Sequence, residues 1–387
     1  MAISNKVGPP VTGDDFYGRI EELTRAHNYL DSTHSLVLSA PRRIGKSSFA
    51  KRLIDDKKKQ GWKCVYIDLE GIRTRDEFLE ILINKFDKSG IWTETVELAG
   101  GILNRILSGI KEIGPFKLDF SSSKSSENLY TGLSEIIDHT KDTLVVIDEL
   151  TLFLSVLDKS RENHGESEFF LNWFRSLRQV TGSKIRWIFC GSIGLHNFTR
   201  MRNLSMTIND LVSFDFDALS EKEAKGLIEA LAEAENISIS HEIISLFLSE
   251  LEWYIPYFIQ LIFTNIKEMP KANGEVTADM VQSAIQKLIH TDELSTWSER
   301  LVEYNGQTPG ARLLLNRLSE ADNGLSKNQL LTIYAEYIDE NPIKVDNDVS
   351  TILNLLEHDG YIIRTERGIR RFRSPLLKRW WYYKFVE

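Results

Sequence analysis

Residues 39–48 read Ser-Ala-Pro-Arg-Arg-Ile-Gly-Lys-Ser-Ser, and this stretch decides the fold of the 387-residue chain. The apolar run Leu36-Val37-Leu38 leads into it, and residues 47–57 beyond it have the pattern of a helix. A strand, a glycine loop, a lysine, a hydroxyl residue and a helix in this order are typical of a phosphate-binding P-loop. Backbone N–H groups in such a loop point at the phosphates, and the helix dipole favours their negative charge.

The chemistry gives individual loop residues their roles. Lys46 can reach the outer phosphates, Ser47 can place its hydroxyl on magnesium, and Gly45 lets the backbone approach closely. The pattern G-x-x-x-x-G-K-[ST] has glycine where this chain has Ala40. An alanine costs little there if its φ is negative, and more if it is positive. The alternative, a chance Gly-Lys-Ser on a surface turn, is disfavoured by the strand before it and the helix after it.

A second motif lies at residues 144–149. The run Leu144-Val145-Val146-Ile147 predicts a buried strand, and Asp148 and Glu149 follow at its end. Because ligands of parallel sheets bind at the carboxyl ends of the strands, Asp148 is expected close to Lys46 and Ser47. This is the Walker B arrangement, in which Asp148 holds the magnesium shell and Glu149 orients and polarises the attacking water.

Strands and helices alternate around these motifs. Residues 63–69 predict a second strand, and residues 76–88 have apolar side chains at helical spacing. This alternation is typical of a parallel α/β sheet. The aromatic repeat of residues 169–177 is interpreted as a helix face in the core. Residues 92–128 fit this plan least, and we interpret them as an insertion over the sheet, with a partner-binding surface as the alternative.

From residue 220 the pattern changes to helices alone, over residues 220–235, 241–251, 256–268 and 277–288. Ser220 followed by Glu223 is a capping box that opens the first of them. A small helical domain appended to a P-loop core is typical of a lid that reports ATP versus ADP as movement. The alternative is a helical domain that only packs.

Residues 308–385 predict a winged helix, with helices over 311–318, 326–337 and 345–358 and a hairpin over 361–372. The predicted fold class is therefore α/β, with a P-loop NTPase parallel sheet core, a helical lid and a C-terminal winged-helix domain. The expected domains are 1–217 for the ATPase core, 218–290 for the lid, and 291–387 for a linker helix and the winged helix.

The third helix of a winged helix normally enters the major groove of DNA. Here it carries Asp346, Asp348 and Glu357, with Asp359 just beyond, which is a poor surface for phosphates. The hairpin and tail instead mix basic and aromatic side chains, which together can bind nucleic acid. These side chains are Arg364, Arg367, Arg370, Arg371, Phe372, Arg373, Lys378, Arg379, Trp380, Trp381, Tyr382 and Lys384. We favour the alternative, a docking or packing module with Trp380 and Trp381 in its core.

The composition narrows the class of protein. The net charge is −9, so any nucleic-acid binding must come from a local patch. The N-terminus shows no apolar signal region, and no apolar run is long enough to cross a bilayer. The two cysteines, Cys64 and Cys190, lie in separate apolar runs and form neither a disulfide framework nor a zinc site. We therefore expect a cytoplasmic protein with both thiols in the core.

A further predicted strand, residues 185–190, ends in Gly191-Ser192. A polar residue at this end of a strand beside the Walker B strand can reach the γ-phosphate or its water, which makes Ser192 a candidate sensor, although a simple turn is equally compatible. Arg200 and Arg202 follow closely. Either is a candidate arginine finger, and we favour their being ordinary surface residues.

These motifs together resemble the AAA+/STAND-type P-loop ATPases, and most closely their archaeal-type ATPase group. The resemblance rests on residues 16–19 (Phe-Tyr-Gly-Arg), 40–48, 146–149 and 191–192, and Pro-Arg-Arg before the Gly-Lys pair is typical of this group in particular. It covers about residues 14–290 and, more loosely, the C-terminal region.

The resemblance implies ATP and Mg²⁺ binding and slow hydrolysis, used as a switch or to drive assembly. It implies that the turn of residues 16–19 borders the adenine. The nucleotide-binding residues that it implies are Phe16, Gly18, Arg19, Arg42, Arg43, Ile44, Gly45, Lys46, Ser47, Ser48 and Pro256, and the catalytic ones are Glu149, Lys46 and Ser192. The family commonly opens a lid helix with Gly-x-Pro, whereas this chain reads Tyr254-Ile255-Pro256, and no arginine follows in that helix.

Three functions remain compatible with the sequence. The first, which we favour, is a regulatory ATPase that acts as a nucleotide switch for a partner protein or for its own oligomer. The second is a DNA-binding ATPase resembling replication initiators or mobile-element ATPases, with the basic wing as its DNA contact. The third is a P-loop scaffold without turnover, which has no need of Glu149.

Overall fold

The computed structural model describes residues 3–91, 142–160, 165–180, 182–191, 194–270 and 274–387. The interpretation of residues 92–128 and the assignment of Ser192 lie outside these ranges. The chain forms two compact units. The sheet unit comprises Ile20–Ala40 and Lys46–Phe216, and the helical unit comprises Met1–Arg19, Pro41–Gly45 and Asp217–Glu387.

The sheet unit is built on five parallel strands. They are β1 (Leu36–Ser39), β2 (Lys63–Asp68), β3 (Thr143–Asp148), β4 (Ile185–Gly191) and β5 (Val212–Phe214). Their order in the sheet is β2-β3-β4-β1-β5, so β1 lies between β4 and β5. Every side chain of β3 and β4 is buried, as expected for parallel strands covered on both faces. The predicted parallel α/β sheet of a P-loop NTPase is confirmed.

Six helices accompany the strands in the described part of the sheet unit. They are α1 (Ile20–Asp31), α2 (Lys46–Lys59), α3 (Arg75–Lys88), α4 (Leu150–Ser160), α5 (Gly165–Arg178) and α6 (Leu195–Met201). The predicted aromatic face of α5 is in the core, where Phe174 packs edge-on against Trp187 at 5.3 Å between ring centroids. Phe169 is the exception, because it is 38% exposed and lies under the guanidinium of Arg75.

The helical unit continues with α7 (Glu221–Ala234), α8 (His241–Leu251), α9 (Pro256–Glu268), α10 (Ala278–His290) and α11 (Ser295–Arg300). The first four match the predicted helices within a few residues. The Ser220 side chain accepts the N–H of Glu223, and the Glu223 carboxylate accepts the N–H of Ser220, so the predicted capping box is confirmed. Pro256 opens α9, where its lack of an N–H costs nothing.

The last part of the helical unit contains the three predicted helices and the hairpin in the predicted order, together with a short strand and a last helix. These are α12 (Thr308–Glu320), β6 (Leu325–Ser326), α13 (Lys327–Ile338), α14 (Pro342–His358), β7 (Ile362–Arg364), β8 (Ile369–Phe372) and α15 (Pro375–Phe385). The three strands form an antiparallel sheet in the order β6-β8-β7. Gly324 has φ of +75° and its Cβ position lies 2.2 Å from the carbonyl oxygen of Arg370, so only glycine fits beside this hairpin.

The basic and aromatic tail is largely structural. Trp380 and Trp381 are fully buried, as the packing interpretation predicts. The basic residues pair with acids of the helical unit: Arg370 with Glu357, Arg371 with Glu252, Arg373 with Asp217, Arg379 with Glu250 and Lys384 with Asp292. Arg364 and Arg367 are exposed on the hairpin. The count of positive charges in the sequence therefore overstates the charge that this surface offers to phosphates.

Asp359, one of the acidic residues that we counted against DNA binding, does not lie on the surface. Asp359 is 3% exposed and accepts two hydrogen bonds from Arg300, at 2.6 and 2.9 Å, and one from Tyr304. A buried charge of this kind needs such a partner, because an unpaired one costs several kcal/mol. Asp348 is exposed on α14, whereas Asp346 is half-buried and pairs with Lys327 at 2.7 Å.

None of the helices in the described ranges is long and apolar enough to cross a membrane.

Candidate functional site

The P-loop connects β1 to α2 through residues 40–45. Gly45 has φ of +102°, a conformation that side chains rarely adopt. Among the described residues, those with positive φ do not include Ala40, so alanine is tolerated in place of the usual glycine. Arg43 does have positive φ, at 66°. A non-glycine residue in this conformation costs about 1–2 kcal/mol, and its neighbours must hold it there.

Lys46 is the first residue of α2 and is almost fully buried. Its Nζ donates to the carbonyl oxygen of Ala40 at 2.6 Å, at the opposite end of the loop. The ammonium is thus held across the loop by a backbone oxygen, which a phosphate oxygen can replace.

Ser47 and Asp148 come from distant parts of the sequence and are in direct contact. The Ser47 hydroxyl donates to Asp148 Oδ2 at 2.7 Å, and the Glu149 N–H donates to Asp148 Oδ1 at 3.0 Å. Asp148 is buried at the end of β3, at the same edge of the sheet as the start of α2. The sequence predicts that the Ser47 hydroxyl and the Asp148 carboxylate lie close together, and in the structure they are hydrogen-bonded to each other.

The side-chain oxygens of Ser47 and Asp148 are suitable ligands for a Mg²⁺ ion. Magnesium is held by one or two carboxylates together with waters and substrate phosphates rather than by a cage of protein ligands. One carboxylate and one hydroxyl meet at Asp148 and Ser47, and no cluster of three or more His, Cys, Asp or Glu able to hold a metal alone occurs in the described ranges. The chemistry of the site therefore suits magnesium that arrives with a phosphate ligand.

Glu149 follows Asp148 and lies directly before α4. Its φ of 53° is in the left-handed region, and the side chain is half-buried. Asp68 is the register partner of Asp148 on β2. Partial burial raises the pKa of Asp68 most, and the charges of Asp148 and Glu149 raise it further. Three carboxylates thus gather at the ends of two neighbouring strands.

Tyr66 is a residue that the sequence analysis missed. Its hydroxyl donates to Asp148 Oδ2, the same oxygen that Ser47 contacts. Burial raises the pKa of Tyr66, and the charge of Asp148 raises it further, so the phenol stays protonated. The only trace of this contact in the sequence is a tyrosine two residues before the end of β2. The tyrosine can be recognised as a neighbour of Asp148 only when the pairing of β2 with β3 is known.

The turn of residues 16–19 is fixed within the helical unit. The Arg19 N–H donates to Glu223 Oε1 at 2.6 Å, and the Tyr17 hydroxyl lies only 2.1 Å from where a Cβ at Gly226 would stand. The Arg19 guanidinium, which is buried, donates to the carbonyl oxygen of Ile44 at 3.0 Å. The structure therefore brings this turn to P-loop residue Ile44, while its predicted contact with adenine stays a prediction.

The P-loop arginines have contacts of their own, and their predicted contact with a nucleotide stays a prediction. The Arg43 guanidinium lies over the Tyr257 ring, 4.6 Å from its centroid, and Tyr257 directly follows Pro256 in α9. Arg42 is half-buried, and Ser48 lies in the first turn of α2. The contact of Arg43 with an aromatic ring was not visible in the sequence.

The two arginines considered as fingers are placed differently. Arg202 pairs with the buried Asp158 at 2.8 Å, and its guanidinium lies 3.8 Å from the Phe198 centroid. Arg200 is exposed and contacts Asn197. Arg202 therefore has a structural role within the sheet unit.

Comparison with known proteins agrees with this geometry. Residues 30–198 match the protein family described as AAA domain. A Walker-type ATPase of Pyrococcus abyssi is similar in structure, with a TM-score of 0.65 at 14% identity over 97% of this chain and 99% of that one. The ORC2 protein of Aeropyrum pernix, solved as ADPNP–ADP complexes, has a TM-score of 0.57 at 13% identity over 98% of each chain. Comparison with curated protein sequences found no significant match.

The family match covers both motifs. Residues 30–198 include the P-loop and the Asp148–Glu149 pair, so the similarity to the AAA domain family extends over both motifs. The structural likeness extends over nearly the whole chain, but at these identities it speaks for the fold alone.

Proposed function

We propose that this protein is a Mg²⁺-dependent ATPase that acts as a nucleotide switch for a partner protein or for its own oligomer. In this proposal Lys46 and the backbone of residues 44–48 bind the phosphates. Ser47 and Asp148 hold Mg²⁺, which supplies neutralisation of phosphate charge when bound. Glu149 orients and polarises the attacking water.

The hydrogen bond between Ser47 and Asp148 supports magnesium-dependent chemistry. It joins the two oxygen groups that the ion needs, while Glu149 remains one residue away at the end of the same strand. ATP is favoured over other nucleotides because a structural relative was solved with ADPNP and ADP.

The observation that carries the switch is the contact of Arg43 with Tyr257. Arg43 is a P-loop residue in a strained conformation, and Tyr257 lies in the first turn of α9. Arg19 adds a second contact, to the carbonyl oxygen of Ile44. A loop backbone that adjusts to a phosphate would change both contacts, and α9 would respond.

The remaining assignments extend this proposal. We assign residues 218–290 as a lid and residues 291–387 as a linker helix with a winged-helix module, in the manner of STAND-type ATPases. The buried Trp380 and Trp381 and the paired basic tail support a module that docks protein rather than DNA. The adenine is proposed to lie against residues 16–19.

The second candidate is a DNA-binding ATPase. It is favoured by Arg364 and Arg367, which are exposed on the hairpin between β7 and β8. It is disfavoured by the pairing of Arg370, Arg371 and Arg373 with acids.

Turnover measured with and without DNA separates these two functions. We expect ATP hydrolysis by the purified protein that depends on Mg²⁺ and is unchanged when duplex DNA is added, because few of the basic side chains are available to phosphates. Stimulation by DNA that disappears in an Arg364→Glu/Arg367→Glu variant and at high salt would replace the switch proposal with the DNA-binding one.

Replacing Arg43 by alanine is expected to uncouple α9 from the nucleotide. Hydrogen exchange of residues 256–268 should differ between the ATP-bound and the nucleotide-free wild type, and this difference should largely vanish in Arg43→Ala, because the cation–π contact is lost. Tyr257→Ala should behave like Arg43→Ala, and the double variant should be no worse than either.

Tyr257→Phe is the matched control, since it keeps the ring and should keep the response of α9. ATP affinity is the second readout. If Arg43→Ala weakens ATP binding and Tyr257→Ala does not, Arg43 contacts the phosphates and the coupling role is wrong.

A further inference from the structure

We propose that Tyr66 is a positioning residue for the magnesium site, acting through Asp148. The inference rests on the proposed function, because it assumes that Asp148 holds the Mg²⁺ of a bound nucleotide. It adds a residue outside both sequence motifs, on a strand that carries neither of them.

The sheet brings Tyr66 to Asp148. Strands β2 and β3 are parallel and in register, with Tyr66 opposite Val146 and Asp68 opposite Asp148. Side chains two residues apart on a strand share a face, so Tyr66 and Asp68 lie on one face of β2, as Val146 and Asp148 do on β3. Asp148 lies two residues beyond Val146 along β3. The tyrosine side chain is long enough to span this distance, and its hydroxyl donates to Asp148 Oδ2.

The tyrosine ring is itself held in place. The Nζ of Lys51 lies over the ring, 5.2 Å from its centroid. Lys51 is one turn after Ser47 on α2, so the helix that supplies the hydroxyl donor also supports the phenol. The hydroxyl is therefore directed at Asp148 from a side chain with restricted freedom.

Asp148 accepts three hydrogen bonds in this arrangement. Oδ2 accepts from Ser47 and Tyr66, and Oδ1 accepts from the N–H of Glu149. A carboxylate rotates about its terminal bond unless its oxygens are fixed. When Ser47 turns its oxygen to a cation, Tyr66 and the Glu149 N–H still fix the carboxylate. Tyr66 thus keeps Asp148 in the orientation that Mg²⁺ requires.

The test compares nucleotide affinity with and without magnesium. A fluorescent ATP analogue is titrated into wild type and Tyr66→Phe, once with Mg²⁺ and once with EDTA, and the gain in affinity on adding Mg²⁺ is calculated for each. We expect this gain to fall about tenfold in Tyr66→Phe, the effect typical of losing one hydrogen bond to a charged group. Affinity in EDTA should stay the same.

Control variants separate positioning from a structural role. Tyr29→Phe removes a hydroxyl on α1 of the same unit, whose ring contacts Phe214, and should leave the gain unchanged. Asp148→Asn should lose the gain. Tyr66→Met, which also lacks the hydroxyl, should reproduce Tyr66→Phe, and melting temperatures identify any variant that fails to fold.

Three results overturn the inference. An unchanged Mg²⁺ gain in Tyr66→Phe, with a clear gain in wild type, contradicts the positioning role and leaves the proposed function intact. An equal loss of affinity in Mg²⁺ and in EDTA assigns Tyr66 a structural role only. If wild type binds no nucleotide under either condition, the proposed function fails and this inference fails with it.

Discussion

Replacing Lys46 by alanine is expected to abolish measurable ATP binding. Lys46 is nearly buried at the start of α2, and its ammonium is held by the carbonyl oxygen of Ala40 across the loop. Removing one partner of a desolvated charge pair costs about 2–5 kcal/mol, which places the dissociation constant beyond ordinary titration ranges. Isothermal titration with ATP and Mg²⁺ measures the effect directly.

The same helix offers the matched control. Lys59 lies in the last turn of α2, is 75% exposed and pairs loosely with Asp56 at 3.8 Å. Lys59→Ala removes the same charge and should bind ATP like wild type. Retained binding in Lys46→Ala, with both variants folded, would mean that the loop does not bind phosphate through this lysine, and the proposed function would lose its foundation.

Contiguous motifs are the part of this molecule that the sequence could predict. The P-loop and the strand ending in Asp148 are each short runs in which apolar residues, glycine and polar residues follow in a fixed order. The helices from Ser220 onward were predictable because capping and helical spacing are local properties. These patterns need no knowledge of which strands are neighbours.

Contacts between distant residues were beyond the reach of such patterns. Tyr66 and Asp148 are 82 residues apart, and their contact depends on the pairing of β2 with β3. The pairing of Arg43 with Tyr257 likewise depends on the tertiary fold.

The pairing of the charges in the C-terminal tail was not visible in the sequence for the same reason. Arg371 and Arg373 read as free cations in the sequence, but Glu252 and Asp217 come from remote segments to neutralise them. Asp359 read as a surface acid and is instead buried against Arg300. A sequence shows charges one at a time, whereas the field at a surface depends on how they pair.

Replacing Glu149 by glutamine is expected to stop turnover while leaving ATP bound. The Glu149 N–H fixes Asp148 Oδ1, and this backbone contact does not depend on the side chain. Glutamine preserves the size of the side chain and tolerates the same backbone, so the magnesium site should persist. The loss of the carboxylate removes the group proposed to polarise water, and such groups contribute about 10²–10⁴-fold to rate.

Single-turnover hydrolysis and equilibrium ATP binding, measured on the same preparation, test this separation. Turnover should fall by about two orders of magnitude or more, in the range expected for loss of a general base, while affinity for MgATP stays close to that of wild type. Glu166→Gln is a suitable control, because Glu166 pairs with Arg75 at the start of α5 and has no proposed role in hydrolysis.

The outcome also discriminates between a switch and a scaffold. If Glu149→Gln and wild type hydrolyse ATP at the same rate, the catalytic assignment is wrong. If wild type itself binds MgATP without turning it over, Glu149 has no reaction to support, and hydrolysis would have to await the partner protein. A Glu149→Gln variant that binds ATP without hydrolysing it would instead hold α9 in its ATP-dependent state. The hydrogen exchange of residues 256–268 could then be measured in that state, because no hydrolysis would deplete it during the experiment.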